Sequence, residues 1–183
     1  MSNWFIGVVV DPGGWYPDRV PAPPEGFKAF HPDDLHLTVA FLGNVGAERA
    51  DAAWRALRWP TGPVEAELAD IEAMGSPRRY SALSFLLDKG RLEIEGAIGL
   101  VRADVGAAAE VEPDQRPPKA HLTIARPSRN ASPAVRNKGL AWAKTIELRG
   151  TPILLREVAL YTWSEDRTKT LFRKVDVRSM TGG

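Results

Sequence analysis

The chain contains no cysteine. Disulfide staples, thiolate nucleophiles and thiolate metal sites are therefore excluded. Long hydrophobic runs are missing as well: the longest near the start is Phe5 to Val10, interrupted by Gly7. Such a run is too short for a signal-peptide core and far too short to span a membrane, so we expect a cytoplasmic protein with no membrane partner. Net charge is also nearly absent, since 24 Lys and Arg against 23 Asp and Glu leave +1. A uniformly basic nucleic-acid coat and an acidic disordered tail are both ruled out. There is no Walker loop, no Rossmann glycine pattern and no zinc-ligand spacing.

What is present is ordinary for a soluble globular chain: 183 residues, 44% hydrophobic and 26% charged. A chain of this length buries roughly 70% of its unfolded surface without staples. We expect one domain over residues 1–183, built from two lobes, and a monomer. The small net charge conceals a division. Residues 1–115 carry 10 basic and 18 acidic side chains, while residues 116–183 carry 14 and 5. This reads as two parts that attract each other, as simple drift in composition, or as a basic surface for an anionic ligand.

Strand-like runs occupy Trp4–Val10, Leu35–Leu42, Val64–Met74, Ala82–Leu87 and Ala120–Ala125. Three more are expected at Thr145–Arg149, Ile153–Trp163 and Thr170–Val177. Residues 11–32 hold six of the fifteen prolines and read as a surface loop. In Glu48–Arg58 the spacing of Ala50, Ala53, Trp54 and Leu57 predicts a helix. Ile94, Ala97, Ile98 and Val101 predict a second over Leu92–Arg102, followed by an acidic connector over 104–118. Ser132 as N-cap and Pro133 at the first helical position open a third, with Val135, Gly139 and Trp142 on its buried side. The last four residues are expected to fray.

The informative feature is a repeat. His36-Leu37-Thr38-Val39-Ala40 recurs as His121-Leu122-Thr123-Ile124-Ala125, 85 residues later. Thr makes up 9 of the 183 residues, so a Thr two places after a given His is about a one-in-twenty event, yet two of the three His show it. In a strand, residues i and i+2 share a face. Each copy thus presents an imidazole and a hydroxyl together, with Leu37 and Val39, or Leu122 and Ile124, turned into the core. An imidazole titrating near neutrality can accept a proton while a second donates one. Two such pairs across a cleft would grip a phosphodiester, and the hydroxyls and a nearby cation would stabilise charge on phosphorus. Two His with a stray Asp could hold a metal, but the paired Thr residues would then be unexplained.

The doubled His-x-Thr-hydrophobic motif resembles the 2H phosphoesterase superfamily. Its flanks, Asp34 to Gly43 and Lys119 to Arg126, resemble the 2′-5′ RNA ligase-like branch, the RNA 2′,3′-cyclic phosphodiesterases. The strand ending Val158-Ala159-Leu160-Tyr161 is similar to that family's C-terminal strand. The resemblance implies a bilobal α+β fold, with two pseudo-symmetric antiparallel sheets and outer helices around a central cleft. It implies a hydrolase that opens 2′,3′-cyclic phosphates on RNA ends or nucleotides to 2′-phosphates without cofactor or metal. His36 would protonate the leaving 3′ oxygen and His121 would activate water. Thr38, Thr123 and Arg126 would bind the substrate. Relatives in the superfamily act on ADP-ribose cyclic phosphate or on 2′-5′ linked oligonucleotides, and a non-catalytic RNA-end binder on the same fold is a further alternative.

The chain departs from the family pattern in places. Phe27-Lys28-Ala29-Phe30 stands where the family has a basic–aromatic pair, and Ala120 replaces the Pro before the second motif. Strict alternation places Arg126 on the face opposite His121, so its reach to phosphate requires the strand to end or twist near Pro127. His31 reads as solvated, the Arg78-Arg79-Tyr80 turn either as an RNA contact or as a solvated turn, and Tyr161 with Trp163 as core. Asp33 and Asp34 before His36, and Lys119, Arg126 and Arg129 around His121, predict a protonated His36 beside a neutral His121.

Overall fold

The computed structural model describes residues 2–181. Its elements are β1 (Trp4–Val9), β2 (Phe27–Ala29), β3 (His36–Gly43), α1 (Ala47–Ala56), β4 (Val64–Ala73), β5 (Leu83–Leu87) and α2 (Arg91–Ala108). These are followed by β6 (His121–Pro127), α3 (Pro133–Ala143), β7 (Pro152–Leu155), β8 (Glu157–Trp163) and β9 (Phe172–Ser179). A 3-10 turn at Pro32–Asp34 precedes β3.

The strands form one antiparallel sheet in the order β7-β4-β5-β6-β3-β1-β8-β9, with β2 added beside β6. It divides into two four-strand halves, β3-β1-β8-β9 and β6-β5-β4-β7. They meet where β3 and β6 pair at Leu37 and Leu122 alone. This is the α+β architecture that the resemblance implies: each half carries its own His-x-Thr strand at the junction, and a local two-fold through the Leu37–Leu122 pair exchanges them. Beyond that pair the strands diverge on both sides. β2 fills one opening by pairing with β6.

Leu37, Val39, Leu122 and Ile124 all enter one buried cluster, together with Ala50, Ala53, Trp54 and Leu57 of the α1 stripe and Ile94, Ile98, Val101 and Val105 of α2. α1 and α2 also pack on each other. The opposite face of the first half carries a second cluster, Phe5, Ala159 and Tyr161, beside the His36 ring. α3 starts as its sequence predicts, with the Ser132 hydroxyl accepting from the Val135 N–H. Gly139 is buried because Phe27 and the Tyr80 hydroxyl occupy the space a side chain would need.

Several expectations differ. The Pro-rich segment is not all surface: it contains β2, and Trp15, Tyr16 and Phe30 are buried. α2 runs six residues further, to Ala108, because Val105 extends its stripe and Gly106 lets the returning chain cross at Val111 and Pro113. Thr145–Arg149 is not a strand. Its first amides turn back onto Trp142 and Ala143 of the helix end. Ile153–Trp163 breaks at Arg156, where the chain leaves β4 for β1 and crosses between halves. Met180 is buried and its N–H donates to the Arg156 carbonyl, so it is tied down, while Gly182 and Gly183 lie outside the described residues. Among the described residues no helix is long and apolar enough to cross a membrane.

Candidate active site

The register of β3 and β6 sets the site. Because Leu37 opposes Leu122 in an antiparallel pair, His36 lies across from Thr123 and Thr38 from His121. The two histidines are then diagonal neighbours on one face, near enough for His121 to act electrostatically on His36.

Both rings are held in the same way. His36 Nδ1 lies 2.6 Å from the Asp34 carbonyl and His121 Nδ1 lies 2.7 Å from the Lys119 carbonyl, in each case the residue two places earlier. A carbonyl only accepts, so each Nδ1 carries the hydrogen. The neutral tautomer therefore leaves Nε2 as a free base, and protonation makes it a donor.

Thr123 is buried, and its hydroxyl lies 2.9 Å from that of Ser84, which opposes it on β5. Gly7 of β1 takes the matching position opposite Thr38. A side chain there would come within 3.4 Å of the His36 and Tyr161 rings. Thr38 and His121 line a groove of about 790 Å3 that follows the unfilled opening beside β3.

Arg126 does not follow strict alternation. Between Ser84–Thr123 and Leu83–Ala125, β6 advances two residues while β5 advances one. The extra residue, Ile124, is a β-bulge that reverses the order of faces beyond it. Arg126 thus returns to the histidine side, over the Phe30 ring at 5.1 Å. The strand neither ends nor needs to, since Lys28 of β2 pairs with Arg126. β3 repeats the device, with Val39 the extra residue between Gly7–Thr38 and Ile6–Ala40. Its counterpart of Arg126 is Phe41, turned out to solvent while Leu42 is buried.

Electrostatics at His36 oppose the sequence expectation. Burial pushes its pKa down from 6.5 to about 4; the Asp34 carbonyl acts against this, and Arg126 and His121 add to it. Asp34 does not supply the expected negative charge to the ring because its carboxylate is turned to the Leu171 and Phe172 N–H groups, at 2.8 to 3.0 Å. Asp33 is exposed.

The structure therefore brings His36, Thr38, His121 and Thr123 together at the β3–β6 junction, with Thr38 and His121 on the groove and Arg126 on a separate pocket beside β2, where it acts electrostatically on His36. Sequence reading missed Ser84, whose only signal was its place in an apolar strand. It also missed the structural use of Asp34. His31 is exposed and caps the 3-10 turn by accepting from the Asp33 N–H. Tyr80 is buried, with its hydroxyl donating to the Arg136 carbonyl, because α3 covers the turn that carries it. Tyr161 is core, stacked on Phe5, whereas the half-buried Trp163 carries the Arg167 guanidinium at 4.2 Å. Among the described residues no three His, Asp or Glu side chains converge as metal ligands.

No family model and no curated protein matches the chain. Solved structures do. TT0787 of Thermus thermophilus superposes with a TM-score of 0.72 at 19% identity, over 98% of both chains. E. coli LigT complexed with 3′-AMP gives 0.69 at 21% identity, again over 98% of both. A structure described as a phosphoesterase gives 0.67 at 20% identity over 99% of both. The likeness is one of fold: the chain has the fold of TT0787, of E. coli LigT and of the structure described as a phosphoesterase.

Proposed function

We propose that this protein hydrolyses 2′,3′-cyclic phosphate ends of RNA or nucleotides to 2′-phosphates, without a metal. The observation that carries the reading is the pair of imidazoles on adjoining strands, each with Nδ1 tied to the carbonyl two residues earlier and Nε2 left for chemistry. Water adds to phosphorus and the P–O3′ bond breaks. One Nε2 takes the proton from water and the other gives a proton to the departing oxygen. Thr38, Thr123 and Arg126 bind the non-bridging oxygens and stabilise their added charge. E. coli LigT has been solved with 3′-AMP and with NADP+, which supports a nucleotide as the ligand class for this cleft too.

The resemblance gives His36 the acid role, yet burial keeps His36 neutral in the free protein. The acid role then requires the substrate's negative charge to raise its proton affinity on binding. Proton uptake on binding a nucleotide 2′-phosphate at pH 6 is the expected signature. Its absence would exchange the two roles.

The direct test is incubation in EDTA with nucleoside 2′,3′-cyclic monophosphates, a cyclic-phosphate oligoribonucleotide, ADP-ribose cyclic phosphate and a 2′-5′ linked oligonucleotide. The expected product is a 2′-phosphate from the first two. His36→Ala and His121→Ala should each lower turnover by ~10²–10⁴ with the fold intact. A 3′-phosphate product, or near-normal turnover in either variant, would end this reading.

A further inference from the structure

The cations on the two sides of the cleft are balanced differently. On the groove side, Lys119 pairs with Glu72 at 3.0 Å and Arg116 with Asp114 at 2.6 Å. Arg102 donates to the Arg116 carbonyl. The charges of Lys119 and Arg116 are balanced by these carboxylates. On the opposite side, Lys28, Arg126 and Arg167 line a separate pocket of about 470 Å3. Among the described residues, none of these three forms an ion pair.

These three cations are nevertheless held in place. Arg126 lies over Phe30 and Arg167 over Trp163, at 5.1 and 4.2 Å. Lys28 Nζ donates to the Arg167 carbonyl at 2.8 Å. The loop that carries Arg167 closes through the Ser164 N–H to the Leu171 carbonyl, and the Asp34 carboxylate holds the Leu171 and Phe172 amides. Aromatic faces and carbonyls orient the cations without neutralising them. Like charges fixed around one concavity repel until an anion enters.

We propose that this pocket is a second phosphate subsite, so that the preferred substrate carries one more phosphate besides the cyclic one. This rests on the phosphodiesterase reading of the cleft. The cyclic phosphate occupies the space between the histidines, and Arg126 borders both positions. The second phosphate is either a 5′-phosphate on the same nucleotide or the phosphodiester that joins it to the next. A nucleoside cyclic phosphate alone leaves Lys28 and Arg167 without a partner.

Three substrates test this: adenosine 2′,3′-cyclic monophosphate, the same nucleotide carrying a 5′-phosphate, and an adenylyl dinucleotide ending in a cyclic phosphate. The wild-type protein should favour at least one of the last two by about tenfold or more in kcat/KM, the size of a charge-assisted contact. Preference for the dinucleotide alone assigns the subsite to a chain phosphodiester; preference for the mononucleotide alone assigns it to a 5′-phosphate. Arg167→Ala should erase the preference and leave the single-phosphate substrate within about twofold. Equal wild-type rates, or an equal loss on all three substrates in Arg167→Ala, would overturn the proposal. Calorimetric titration with adenosine 2′-monophosphate and adenosine 2′,5′-bisphosphate separates it from the hydrolytic reading. Tighter bisphosphate binding that Arg167→Ala removes, in a protein with no turnover, keeps the subsite and ends the hydrolase. Turnover with equal affinities keeps the hydrolase and ends the subsite.

Discussion

His36 links the chemistry of the cleft to stability. Its ring is buried, and its pKa falls from 6.5 to about 4 on folding, through burial first. Between those values the unfolded chain binds a proton that the folded chain refuses, so stability is lost as pH falls through this window. The full effect is about 3 kcal/mol. Urea unfolding at pH 7 and pH 4.5 should therefore show the wild type losing about 2–3 kcal/mol more than His36→Gln, which cannot titrate. Equal losses would mean that the ring titrates normally in the fold. Ser84 offers a second residue-scale test. If its hydroxyl donates to Thr123, the Thr123 proton is directed to substrate. Ser84→Ala should then lower turnover about three- to tenfold with little change in melting temperature. An unchanged rate would reduce Ser84 to filling space. The histidines and threonines were legible because the chemistry they share requires those residue types at that spacing. Ser84 was not, because a lone serine in an apolar strand has no spacing to mark it. The proton affinity of His36 was misjudged for a related reason. Neighbours in sequence suggested a carboxylate beside the ring, but side-chain direction sends the Asp34 carboxylate to the β8–β9 turn and leaves only its carbonyl for the imidazole.

At the scale of elements, the two bulges turn paired strands into a site. Val39 and Ile124 each add one residue just after the Thr of their motif, and each re-aims the residue two places on. One side of the cleft receives Arg126 and the other Phe41. Gly7 of β1 makes the first bulge compatible with a close pair of rings. An added Cβ would lie 3.2 Å from the Leu37 carbonyl and 3.4 Å from both His36 and Tyr161. Gly7→Ala should cost about 1–2 kcal/mol in stability and lower activity beyond that by displacing His36. Urea midpoints beside kcat measure the two effects, and an activity loss no greater than that of an equally destabilising core variant would dismiss the displacement. Most elements were legible from periodicity: the α1 stripe, the Ser132–Pro133 helix start and both motif strands stand where the pattern puts them. The bulges were not, because a single inserted residue leaves a β-branched run looking regular. β2 was hidden by composition. Three residues among prolines pair only because β6 presents an open edge to them.

For the whole molecule, the charge division in sequence is not a division in space. The acidic first part and the basic last part meet in both halves of the sheet, since β8 and β9 return to flank β1 while β7 returns to flank β4. Arg149 bridges Asp70 and Asp88, and Lys119 bridges Glu72, so part of the attraction is spent as exposed ion pairs of little individual weight. The halves are joined more firmly by apolar packing. One buried cluster includes Val8 and Val158 from the first half, Leu68 and Phe85 from the second, and the stripes of α1 and α2. We propose that the halves fold as one domain although their strands pair at a single residue position. Leu37 is fully buried at that position, opposite Leu122. Leu37→Ala should cost about 2–5 kcal/mol and leave tryptophan fluorescence and far-UV dichroism melting together. Two separated transitions, in the variant or the wild type, would mean that each His-x-Thr strand belongs to an independently stable lobe. The cleft between them would then be an interface between domains, with the spacing of the two imidazoles free to change on binding.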